Sequence, residues 1–142
     1  FFGTPETGGI LNVAHHLYMY PSVGARDEAR KAAALDSKWQ SYVQQIKCCQ
    51  ERTQSIIFAE AKSLLNGVGL PGASGFPTDQ PSTGIYEFRQ YQLKLGYDTV
   101  PKFLEHYASG LPSKLEADTR AQLATLLYSD IGPLNIVIEV WR

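Results

Sequence analysis

Polar and apolar residues alternate along residues 11–18, so that an extended chain carries Leu11, Val13, His15 and Leu17 on one face and Asn12, Ala14, His16 and Tyr18 on the other. The same phrase returns near the end of the sequence. Residues 9–18 align without a gap on 132–141, Leu11 falling on Leu134 and Asn12 on Asn135, an offset of 123 residues. In the second copy Leu134, Ile136, Ile138 and Val140 form an aliphatic face, and Asn135, Val137, Glu139 and Trp141 a mixed polar and aromatic one. Both copies are predicted to be strands.

Around them the periodicity changes. Phe1 and Phe2 read as a strand end, and the Gly/Pro-rich residues 3–9 as the turn of a hairpin into the first copy. Ser22 can cap an alanine-rich surface helix over 26–35, and Asp36 a second helix whose Trp39, Tyr42, Val43, Ile46 and Cys49 recur at spacings of three and four. Residues 54–60 read as a strand, with a helical alternative because Ile56, Ile57 and Phe58 run together. Residues 63–83, with Gly67, Gly69, Gly72, Gly75, Pro71, Pro77 and Pro81, show no sustained period and read as a linker. Beyond it, 84–93 alternates as a strand with Glu87, Arg89 and Tyr91 on one face. A helix from Asp98 or Thr99 buries Phe103, Leu104, Tyr107 and Leu111 until Pro112 breaks or kinks it, and strands follow over 121–128 and 134–142.

If the repeat defines a unit, one unit reads strand-helix-strand-strand-helix-strand, the split βαβ or ferredoxin-like arrangement of an α+β protein. The expected layout is the back half of one unit over 1–62, a linker over 63–83 and the front half of a second unit over 84–142. Antiparallel sheets of this kind carry helices on one face and leave the other to meet a second sheet. The mixed face would then line a barrel-like lumen.

Composition narrows the function classes. The 142 residues hold 13 basic and 14 acidic side chains, a net charge of −1, which gives no electrostatic basis for binding nucleic acid or an anionic membrane. No apolar run approaches the roughly 18–20 residues of a membrane helix, so a soluble chain is expected, and no targeting signature is present in these residues. Cys48 and Cys49 are adjacent in a helical pattern, where neighbouring side chains point apart; Cys49 is expected in the core, with a vicinal redox pair as the alternative.

Specific residues carry a resemblance. Tyr86-Glu87-Phe88-Arg89-Gln90-Tyr91, running on to Leu95-Gly96, resembles the opening strand of NIPSNAP proteins, which reads Tyr-Glu-Leu-Arg-x-Tyr before a Lys-Pro-Gly turn; Leu95 stands where that proline is usual. His16, Leu17 and Tyr20 match their third strand, with Tyr18 in the place of a tryptophan, and Pro21-Ser22, residues 26–34, Trp39-Gln40 and Tyr42 resemble the helical segment that follows. The resemblance implies a dimeric α/β-barrel built from ferredoxin-like units and a mitochondrial location. It also implies a role in protein interaction, vesicle traffic or mitochondrial quality control, with no general catalytic reaction.

The expected lumen set is Asn12, His16, Tyr18, Glu87, Arg89, Tyr91, Asn135, Glu139 and Trp141. An imidazole, a guanidinium and carboxylates in one cavity could move a proton or hold a small ligand. The bland alternative, that Glu87, Arg89 and Glu139 pair with one another while the aromatics fill space, carries more weight, because buried charges must be partnered. His15 and His16 lie on opposite strand faces and cannot share a metal, His106 reads as a surface residue, and no cofactor or phosphate-loop signal appears. The favoured reading is a non-catalytic interaction or scaffold protein that assembles through sheet faces and exposed strand edges, as a homodimer, with a protein partner, or in a larger assembly. The alternative is a small-molecule-binding or oxygenase-like barrel.

Overall fold

A computed structural model describes residues 1–76 and 84–142. Pro77 and Pro81 of the predicted linker lie outside the described residues. The chain divides into two compact units, Phe1–Thr53 and Gln54–Arg142, taken here in turn.

In Phe1–Thr53 the predicted hairpin shortens to an antiparallel ladder of two residues each, β1 (Phe2–Gly3) and β2 (His15–His16). It is extended by the Leu17 N–H, which donates to the Phe1 carbonyl at 2.9 Å. The full strand expected for the first repeat copy is therefore a correction. Asn12 adopts φ 64°, the left-handed conformation that asparagine tolerates in turns, and this interrupts the pleat before β2 begins. Two caps fall where they were expected. Ser22 Oγ accepts from the Ala25 N–H to start α1 (Val23–Leu35), and Asp36 accepts from the Trp39 N–H at 2.6 Å to start α2 (Ser37–Ile46). The apolar stripe of α2 is not enclosed: Trp39 and Tyr42 are half-exposed, their ring centroids 5.2 Å apart, Val43 and Ile46 are only partly covered, and no residue from Phe1 to Thr53 is buried.

Gln54–Arg142 has a core. Four strands, β3 (Ile57–Glu60), β4 (Glu87–Gln92), β5 (Leu123–Ile131) and β6 (Ile136–Trp141), pair in the order β3-β5-β6-β4, every neighbour antiparallel. β4 and β5 are thus parallel, with β6 between them and α4 (Thr99–Ala117) joining them: the expected split βαβ arrangement of an α+β fold. One face of the sheet presents Leu123, Leu126, Val137 and Trp141 to α4, which buries Leu111 and lays Phe103, Leu104, Tyr107 and Leu115 against them. The helix continues through Pro112, so the proline does not end it, the break being one of the two outcomes expected there. The ring removes one backbone donor, and the apolar residues on either side, Leu111 and Leu115, keep both halves on the same core.

The second repeat copy is a strand from Ile136, and the repeat persists in the turn before it. Asn135 has φ 57°, the counterpart of Asn12. Two further features depart from the sequence reading. The described part of the predicted linker holds α3 (Lys62–Gly67) and a 3-10 turn over Gly72–Gly75. α3 ends with Gly69 left-handed, its N–H on Asn66 O and the Leu70 N–H on Leu65 O, while Leu65 enters the core. In β5 a bulge at Ala124 changes the phase, so that Thr125 opposes Val140 and Leu126 opposes Glu139.

Candidate functional site

Strand register assembles the cluster. Opposite residues of an antiparallel pair share a face, and β4 against β6 matches Glu87 with Trp141, Arg89 with Glu139, and Tyr91 with Val137. Five of the nine expected residues, Glu87, Arg89, Tyr91, Glu139 and Trp141, therefore stand side by side. The expectation turned this face toward a lumen; in the structure α4 lies over it, and Tyr107 from that helix reaches Glu139. Asn135 stands apart in the β5–β6 turn, its Nδ2 donating to the Lys94 carbonyl at 2.8 Å and its own carbonyl accepting from the Leu93 N–H. Asn12, His16 and Tyr18 belong to the other unit, where His16 Nδ1 and Tyr18 Oη share a hydrogen bond of 3.2 Å and the His16 and Phe2 rings meet nearly at right angles.

Glu139 is the centre. It has no solvent exposure, yet it is an acceptor only, so each oxygen needs donors. Tyr91 Oη donates to Oε1 at 2.5 Å and Tyr107 Oη donates to Oε2. Arg89 Nη1 lies 3.5 Å from Oε1 and Lys114 Nζ 3.9 Å from Oε2. Arg89 is at the same time forked onto Glu87, with two contacts of 2.9 Å, and Lys114 Nζ sits 3.7 Å above the centre of the Trp141 ring. The indole N–H of Trp141 is buried without a hydrogen-bond partner in this geometry, near enough for its dipole to favour the anion. The two cations are more than two-fifths exposed and roof a carboxylate that is fully covered.

Protonation follows from that arrangement. Burial pushes the Glu139 carboxyl up, but hydrogen bonds from Tyr107 and Tyr91, the nearby indole N–H dipole of Trp141 and the charge of Lys114 outweigh it, holding the group below its ordinary range. Burial first, and then donation to the Glu139 anion, raises both phenols, Tyr107 the further. The fork onto Glu87 raises Arg89 against its own desolvation. A carboxylate so stabilised is a weak base and phenols so raised are weak acids at neutral pH, so the cluster is poorly matched to proton transfer. Beside it Tyr91, Tyr107, Gly110, Leu111, Lys114 and Glu139 line a shallow pocket of about 250 Å³.

Sequence reasoning placed Tyr107 on a buried stripe without giving it a polar role, and missed Lys114. The signal was available: Phe103, Tyr107, Leu111 and Lys114 follow the four- and three-residue spacing of one helix face. Missed too was Glu60, whose Oε1 accepts from the Ala73 N–H at 2.6 Å and from Thr125 Oγ1 at 2.7 Å, fastening the 3-10 turn to β5. Among the described residues no group of three or more His, Cys, Asp or Glu could hold a metal ion, and no helix is long and apolar enough to cross a membrane.

Comparison with known proteins gives a consistent result. Residues 1–63 match the NIPSNAP family model. The chain is similar to protein NipSnap homolog 3A of Homo sapiens and of Pongo abelii, 22% identical to each over 141 residues, which cover 96% of this chain and 50% of each relative. The chain thus spans about half the length of the curated relatives it matches. No solved structure matches it.

Proposed function

From a chain whose residues 1–63 carry the NIPSNAP sequence pattern, we propose a non-catalytic interaction or scaffold protein that assembles through the exposed apolar surface of Phe1–Thr53 and through strand edges. A mitochondrial location and a dimeric α/β-barrel assembly are carried to this chain by the family resemblance. One observation supports the reading above the others. Phe2, Ile10, Leu11, Tyr18, Met19, Trp39 and Tyr42 are exposed in a unit that buries no residue, which leaves these apolar side chains available to a protein contact. The charged cluster in the other unit, by contrast, satisfies itself.

The alternative reading, a small-molecule-binding or oxygenase-like barrel, draws on the pocket beside Glu139. The two separate by experiment. Sedimentation of the purified chain is expected to give species heavier than its 15.7 kDa, and a Leu11→Asp, Trp39→Asp variant is expected to lose them while keeping its helical and sheet circular dichroism. A chain that stays at its single mass and captures no protein overturns the scaffold reading. A retained small molecule that Arg89→Ala releases without altering assembly selects the alternative.

A further inference from the structure

Cys48 and Cys49 were expected to point apart, with Cys49 in the core. Both are exposed, and their Sγ atoms lie 3.7 Å from one another. The reason is local. α2 tightens into a 3-10 turn over Lys47–Cys49, and the Cys48 thiol donates to the Gln45 carbonyl at 3.1 Å, which holds its sulfur back along the helix beside that of Cys49. A donor spent on a backbone carbonyl leaves the Cys48 sulfur itself open to its neighbour.

We propose that Cys48 and Cys49 form a dithiol site for low-molecular-weight disulfides, which oxidise it reversibly to a vicinal disulfide. One cysteine thiolate attacks a sulfur of the small disulfide, making a mixed disulfide and expelling one small thiolate. The neighbouring thiolate then attacks the cysteine sulfur of that mixed disulfide, closing the Cys48–Cys49 bond and expelling the second. Two protons leave the protein thiols and two electrons pass to the small disulfide, which becomes two small thiols.

The geometry favours the second step, because the resolving sulfur is already in contact with the first, while a disulfide bond of about 2.05 Å asks for further approach of about 1.7 Å. Exposure of both residues admits the oxidant. The product is readily reversed: adjacent Cα atoms lie about 3.8 Å apart, inside the usual lower limit of roughly 4.4 Å for bridged cysteines, and strained, exposed disulfides have the more oxidising potentials. Closing the ring also withdraws Cys48 from Gln45, so the last turn of α2 registers the oxidation.

The test treats the whole chain with oxidised glutathione and reads intact mass and peptide maps. The expected product has lost two hydrogens, carries no adduct, resists N-ethylmaleimide at both cysteines, and regains both reactive thiols with dithiothreitol. Cys48→Ser and Cys49→Ser, substitutions at exposed positions, should each stop at one glutathione adduct. Lasting glutathione adducts on the unsubstituted chain, disulfide-linked pairs of chains, or no reaction would each overturn the proposal.

Discussion

Glu139→Ala is expected to lower the unfolding free energy of Gln54–Arg142 by about 3 kcal/mol, since stranding a buried donor costs roughly 1–3 kcal/mol and two phenols lose their acceptor together. Arg89 keeps its fork on Glu87 and Lys114 keeps the Trp141 ring; both are partly in water, so neither becomes an unpaired buried charge. Glu139→Gln retains one acceptor oxygen and should cost less. Urea unfolding of the three proteins checks the order, and equal stability of the alanine variant and the parent would show that the cluster holds nothing together. The pH dependence follows with a definite sign. The folded carboxyl titrates below its unfolded value, so its contribution is complete above the unfolded pKa. It falls away as the solution is acidified through the folded one. The parent should therefore lose stability below the ordinary carboxylate range more steeply than Glu139→Gln does.

Gly72→Ala is the second large effect, with an expected loss of about 3 kcal/mol. A Cβ there would lie 2.4 Å from Glu60 Oε1, and φ is +63°. The left-handed conformation alone costs a side chain roughly 1–2 kcal/mol, and moving Glu60 breaks two bonds of about 1 kcal/mol each. Gly69→Ala supplies the contrast: φ is +73°, but nothing lies within 4 Å of the added atom, so only the conformational part remains. If the two variants unfold at the same urea concentration, the contact with Glu60 has no energetic consequence.

What could be read from sequence follows from how each signal is written. α1 and α2 announce themselves by their caps and α2 and α4 by period, although the expected cap Asp98 makes no side-chain bond to the first turn of α4, and the Tyr86–Gln92 alternation finds β4, because those patterns are local. The β5 bulge is invisible, since Ala124 differs from its neighbours only in what opposes it across the sheet. α3 is too short to show a period, and its glycines suggest coil although Gly69 is the residue that ends the helix. The grouping of Glu87, Arg89, Tyr91 and Glu139 was legible from alternation. What covers that face was not, because the register of α4 against the sheet depends on packing among distant residues. The first repeat copy misled for a related reason: alternation states which side of a strand would be buried, not that a neighbouring strand is there to bury it.

The left-handed asparagine before β6 has a kinetic meaning as well. β5 and β6 are joined by a turn of a few residues whose reversal Gly132 and Asn135 favour, whereas β3 must find β5 across α3, β4 and α4. Because closing a long loop costs more entropy than closing a short one, near contacts form before distant ones. The hairpin is thus the natural seed of the sheet, α4 brings β4 to its β6 side, and β3 docks last on β5. Pulsed amide labelling during refolding should find β5 and β6 protected while Ile57–Glu60 still exchanges.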